Sequence, residues 1–194
     1  MAVDDRFSRF VSLACHDLRT PLATVTGFAH TLARLEGIGP PADRYVEMII
    51  AGSEQMAELL EDVALAARIE GGRFEQHIYA SHTRELVDAA AERLGERATA
   101  GGEGEPLEVD QERATRALAA LALCASRHGG VDTVDLRAVG PEITISPITS
   151  EAVPVITGEE LKDLGALVAN QFIEAIGGTV RLEGETLRIS LTRN

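Results

Sequence analysis

The run Cys15-His16-Asp17-Leu18-Arg19-Thr20-Pro21-Leu22 sets a histidine, a carboxylate and a hydroxyl around one helical turn and closes it with a proline. A neutral imidazole is nucleophilic near neutral pH because its unperturbed pKa is about 6.5. A neighbouring carboxylate can orient the ring and accept its second N–H proton. These residue types make His16 a phosphorylatable histidine. Pro21 has no N–H for the carbonyl of Asp17, so a helix through this run is expected to kink and loosen beside His16. His30, His77, His82 and His128 lack any comparable setting and read as surface or packing residues. Cys15 and His16 do not read as a metal pair, since adjacent helical residues point about 100° apart and no further ligand follows at helical spacing.

The elements that must carry this run are helical. A first helix is expected from Asp4 or Asp5 to Leu35, with Glu36-Gly37-Ile38-Gly39-Pro40-Pro41 as its breaker. On it Leu18, Leu22, Val25, Ala29 and Leu32 recur in steps of four and three and form one apolar stripe. At about 100° per residue, His16 falls nearly opposite Val25, and Thr20 lies one turn on along the same open side. A second helix carries Tyr45, Ile49, Met56, Leu60, Val63 and Ala67 in the same rhythm and ends at Gly71-Gly72. Two antiparallel helices cannot bury both stripes alone, and dimerisation into a four-helix bundle would cover them. Docking of a protein partner is expected on the exposed side of the first helix around Ser12, Arg19 and Ala23, one to two turns from His16.

The run from Cys15 to Leu22, continued by Ala23-Thr24-Val25-Thr26-Gly27-Phe28, resembles the H-box of bacterial sensor histidine kinases, over at least residues 7–70. The resemblance implies that His16 is the phosphoacceptor and that Asp17 assists proton removal. It also implies that Asp17-x-x-Thr20 can position an attacking water, as in the family's phosphatase motif.

After residues 1–72, read as the dimerisation and phosphotransfer hairpin, the pattern changes to mixed elements over residues 73–194. Strands are expected near residues 76–80, 106–109, 133–138 and 142–147, and helices near 83–98, 111–127 and 159–176, with Asp110 capping the second of these. A Gly-rich turn is expected at Ala100-Gly101-Gly102-Glu103-Gly104, and a hairpin at the end. The fold class is therefore α+β: a hairpin forming a dimeric four-helix bundle, followed by a two-layer α/β sandwich of largely antiparallel strands. This order resembles the ATP-binding domain that follows the H-box in histidine kinases. In that alignment the asparagines that hold the nucleotide's magnesium correspond to Ala120 and Cys124, neither of them a hard oxygen ligand. No Asp-x-Gly-x-Gly box occurs between Val139 and Glu160, and Asp163-Leu164-Gly165 looks like a remnant of the second glycine box. The domain reads as a degenerate ATPase-like sandwich. No cofactor is expected in this chain.

The formal net charge of −13 disfavours nucleic acid as a partner. No apolar run approaches a membrane span, and Met1-Ala2-Val3-Asp4-Asp5 resembles no signal start. Two cysteines without a pairing framework suit reduced, cytoplasmic thiols. An intact H-box beside missing nucleotide boxes resembles dimeric histidine phosphotransferases, including the ChpT type. The expected function is phosphoryl shuttling between His16 and receiver-domain aspartates, with Mg²⁺ supplied by the receiver and autokinase activity from ATP not expected. Expected partners are a second copy and response-regulator receiver domains, with a hybrid histidine kinase as a further candidate. A diverged kinase or receiver phosphatase, suggested by Arg19-Thr20-Pro21-Leu22, and a noncatalytic signalling scaffold stand as alternatives.

Overall fold

The computed structural model describes residues 5–34 and 42–191, and in the first half of the first helix it describes the side chains of Val11, Cys15, His16 and residues 18–20. The chain divides into two compact units, Met1–Arg73 and Phe74–Asn194.

In the first unit α1 (Asp5–Ala33) packs against α2 (Ala42–Glu70). Helix α1 stays helical through Pro21. Proline's fixed φ is itself helical, so the ring removes one backbone hydrogen bond without ending the element. The expected end at Leu35 and the breaker at residues 36–41 lie outside the described residues.

The seam inside the hairpin is narrower than the sequence stripes suggest. From α1 it takes Cys15, Leu22 and Ala29, and from α2 Val46, Ser53 and Ala67, all buried, with half-buried Leu60 between. Each set steps by seven residues, the repeat of a helix–helix seam. Ser53 satisfies its hydroxyl locally by donating to the carbonyl of Ile49 at 2.7 Å. Leu18, Val25 and Leu32, expected on the same stripe as Leu22, are instead exposed, as are Tyr45, Ile49 and Met56 of α2. A three-four rhythm marks two neighbouring rows, and one partner helix covers only one of them.

The second unit is a two-layer sandwich. Its chain order is β1 (Tyr79–His82), α3 (Thr83–Leu94), β2 (Ala98–Gly104), β3 (Pro106–Val109), α4 (Gln111–Gly129), β4 (Val134–Gly140), β5 (Glu142–Ser146), the single turn α5 (Val153–Ile156), α6 (Leu164–Ala175), β6 (Thr179–Glu183) and β7 (Thr186–Ser190). A five-stranded sheet runs β2-β4-β5-β7-β6, and β1 pairs with β3 in a separate ribbon. All pairings are antiparallel except β2 with β4. Helices α3 and α4 pack together, as do α4 and α6. The core between the layers is closed by Leu86, Leu118, Leu121, Leu136, Ile143 and Phe172.

Two local expectations are corrected. Residues 100–104, read as a turn, form most of strand β2. Gly102 has φ +91° and lies so close to β4 that a Cβ would collide with the carbonyl of Ala138, so glycine here serves close strand approach. The helix expected over 159–176 starts only at Leu164, after the separate turn α5. Gly158 at φ +79° follows that turn, and Asp163 caps α6 by accepting from the N–H of Ala166 at 3.0 Å. Asp110 caps α4 as expected, accepting from Arg113 N–H at 3.2 Å. His82, read as an ordinary histidine, caps α3 through its ring nitrogen, which accepts from Arg84 N–H at 3.3 Å.

Candidate functional site

Helix α1 positions every residue singled out for chemistry in the first unit. Cys15 is only 4% exposed and turns into the seam, which carries its neighbour His16 around to the exposed side. Arg19, Thr20 and Ala23 are also exposed. His16 and Thr20 stand one turn apart, a spacing that brings Cβ atoms to about 5–6 Å on one helix face. Arg19 and Ala23 form the next such pair. Ser12 and Asp17 belong to α1, but their side chains lie outside the described residues.

The backbone here is bound into the helix, with side chains reinforcing it. Thr24 donates its hydroxyl to the carbonyl of Thr20 at 3.2 Å, and Thr26 to that of Leu22 at 2.9 Å. The arrangement can present one imidazole, a guanidinium and a hydroxyl to a protein that docks along α1.

In the second unit, Ala120 and Cys124 lie on α4 and are half-buried and fully buried, respectively. A Cβ on Gly165 would stand 3.3 Å from the Cβ of Ala120, so α4 and α6 meet closely there. The turn α5 packs on both helices and buries Val155 and Ile156, while Asn170 of α6 donates to the Ile156 carbonyl at 2.8 Å. Burial, reinforced by the charge of Asp163, pushes the Cys124 thiol up to about 12, against the opposing influence of Arg127. An alanine and a neutral thiol give a hard divalent ion nothing to bind at these two positions.

His128 also departs from its expected role. Its Nε2 lies 3.4 Å from Asp163 Oδ2, and Cys124, His128 and Asp163 bring one ligand atom each within 4.8 Å of one another. The Cys124-x3-His128 spacing on α4 was the available signal, since residues four apart share a helix face. The third member, Asp163, comes from a distant helix start and carried none.

Residues 8–72 match the His Kinase A (phospho-acceptor) domain. Over 204 residues, the chain is 31% identical to the histidine protein kinase DivJ of Caulobacter vibrioides, an alignment covering 96% of this chain and 32% of DivJ. It is 27% identical over 210 residues to the sensor protein DivL of the same organism, covering 95% of this chain and 27% of DivL. Its length is thus about a third of that of these relatives. Among solved structures, full-length ShkA in complex with AMPPNP matches with TM-score 0.63 at 18% identity, over 93% of this chain and 44% of that one. The Acinetobacter baumannii histidine kinase AdeS matches with TM-score 0.57 at 18% identity, over 92% of this chain and 98% of that one. These two likenesses establish the fold of hairpin followed by α/β sheet. Among the described residues, no helix is long and apolar enough to cross a membrane. Residues 8–72 thus match a His Kinase A phospho-acceptor domain, and the similarity to DivJ across nearly the whole chain supports its reading as a histidine-kinase-like transmitter core.

Proposed function

We propose that this protein is a histidine phosphotransferase of a phosphorelay, passing a phosphoryl group between His16 and the aspartates of receiver domains without drawing it from ATP. The observation that carries this reading is the pairing of an exposed His16 on α1 with alanine and a buried thiol at positions 120 and 124. The first supplies an acceptor; the second withholds oxygen ligands from a nucleotide's magnesium.

In the forward step a ring nitrogen of His16 attacks the phosphorus of a receiver's aspartyl phosphate. The N–P bond forms, the P–O bond to the aspartate breaks, and the aspartate leaves as a carboxylate. The Asp17 carboxylate holds the other ring nitrogen's proton, and Mg²⁺ on the receiver neutralises charge on the phosphoryl oxygens. Most of the rate comes from docking, which aligns donor and acceptor. The reverse step donates to a second receiver, and a hybrid histidine kinase is one source of the first.

The protein works as a homodimer. The exposed row Leu18, Val25 and Leu32 on α1, with Tyr45, Ile49 and Met56 on α2, is the surface a second hairpin would cover in a four-helix bundle. Both cysteines are free, which suits the reducing cytoplasm.

The Asp17-x-x-Thr20 spacing favours receiver phosphatase activity as the second reading, within a diverged kinase. His16→Gln separates catalysis from scaffolding. Incubated with phosphorylated receiver, the wild type should gain acid-labile, base-stable phosphate, and His16→Gln should gain none while still binding the receiver. Equal phosphate uptake by His16→Gln would sink the proposal.

A further inference from the structure

We propose that Cys124, His128 and Asp163 form a zinc-binding site in the sandwich unit, separate from the phosphoryl chemistry of α1. Cys124 and His128 stand one turn apart on α4 and Asp163 is the N-cap of α6, so two rigid helices fix all three donors. Their ligand atoms already lie within 4.8 Å of one another.

The His128–Asp163 pair fits a shared ion. Zinc–nitrogen and zinc–oxygen bonds of about 2.0–2.1 Å in a tetrahedron hold the two donors roughly 3.3 Å apart. His128 Nε2 and Asp163 Oδ2 are 3.4 Å apart. The carboxylate is also divided in a useful way. Oδ1 is committed to the Ala166 N–H as the helix cap, which orients the group and leaves Oδ2 facing the histidine. A hydrogen bond of this kind to a ligating carboxylate is how metal sites hold their ligands in place.

The donor set selects the ion. Sulfur, imidazole nitrogen and one carboxylate oxygen match Zn²⁺ and mismatch Mg²⁺ and Ca²⁺, which demand oxygen shells. The Asp163 side chain is 10% exposed and that of His128 24%, so an ion reaches the cluster from the His128 side, and a water completes the tetrahedron there.

Two groups oppose binding. Arg127 places a guanidinium nitrogen 3.7 Å from Asp163 Oδ2, but its side chain is 57% exposed and free to swing into solvent. At 3.7 Å, with the guanidinium largely in solvent, the contact holds the carboxylate only weakly. Cys124 must lose its proton to the solvent as the Zn–S bond forms, so affinity rises with pH.

Titration of the full metal-free chain with Co²⁺, followed by displacement with Zn²⁺, tests the site. One equivalent of Co²⁺ should give thiolate-to-metal charge-transfer absorption and the intense visible bands of four-coordinate cobalt, both erased by Zn²⁺. Cys124→Ala should abolish the charge-transfer band, and His128→Ala should weaken binding by at least about tenfold. Asp163→Asn retains a capping side chain while removing the anionic donor, and should weaken binding similarly with unchanged circular dichroism. Octahedral cobalt spectra, or a charge-transfer band that persists in Cys124→Ala, would overturn the assignment.

Discussion

Cys15 and His16 are consecutive on α1 and lie in opposite surroundings: Cys15 is 4% exposed in the hairpin seam, and His16 is exposed on the other side. One residue's rotation, about 100°, separates a packing position from the proposed acceptor. The seam therefore fixes where the imidazole points. Replacing Cys15 by a bulky residue such as phenylalanine should overpack the seam, at about 1–3 kcal/mol. Phosphoryl acceptance by His16 should fall with it. Thermal unfolding and phosphate uptake, measured on the same preparation, check the coupling.

Thr20 stands one turn beyond His16, within reach of the same docked partner. In the second, phosphatase reading its hydroxyl positions a water on the receiver, and in neither reading does it take part in forming phosphohistidine. Thr20→Ala should slow receiver dephosphorylation by about tenfold or more, within the range typical for a positioned acid–base or water-holding group. Phosphotransfer to His16 should change little. Time courses of receiver phosphate and of phosphohistidine, followed separately, distinguish the two. A parallel fall in both would remove the division of labour.

The exposed apolar row on the hairpin predicts the oligomeric state. Val25 is 47% exposed and Leu18 55%. Val25→Asp should leave the hairpin helical and shift the protein from dimer to monomer in sedimentation or light scattering, because a buried unpaired carboxylate in a bundle core is strongly unfavourable. A variant that sediments as the wild type would place the interface elsewhere.

How much of this was legible in the sequence depended on how local each signal was. The two long helices, the Asp110 cap and the strand from Pro106 to Val109 are written in short-range periodicity and capping chemistry, and were read correctly. The division of the apolar rows was not, because Leu18 and Leu22 carry the same hydropathy and differ only in which neighbour they meet. Strand β2 was hidden by its glycines. They look like turn residues along the chain, and only the approach of Ala138 in β4 gives them a reason. The proposal of His16 as acceptor rests on a setting that is contiguous in the sequence. The meeting of His128 with Asp163 depends on the α4–α6 packing, which no window of sequence contains.

The Gly102 position gives a stability prediction. A side chain there meets both the positive φ and the Ala138 carbonyl. Gly102→Ala should destabilise the sandwich unit by roughly 2–4 kcal/mol, well above the typical effect of a surface substitution. Denaturant unfolding measures it. Gly130, at φ +63° as the cap of α4 with nothing within 4 Å of its would-be Cβ, should cost less on the same change.

Stability at alkaline pH should carry the mark of Cys124. Its thiol is pushed from an ordinary 9.0 up to about 12 by burial, with Asp163 adding repulsion. The folded form therefore holds a proton that the unfolded chain releases. The thiol's contribution is intact below about pH 9 and lost as the pH rises towards 12. In metal-free protein, wild-type stability should fall more steeply across that window than stability of Cys124→Ala, whatever their difference at neutral pH.

The central claim is that the phosphoryl group on His16 comes from a receiver and not from ATP. Purified protein incubated in Mg²⁺ with γ-labelled ATP, and in parallel with a labelled phosphorylated receiver, decides it when the label on His16 is followed. The account predicts label from the receiver and none from ATP. Direct labelling from ATP would contradict it and make this chain a working kinase despite Ala120 and Cys124.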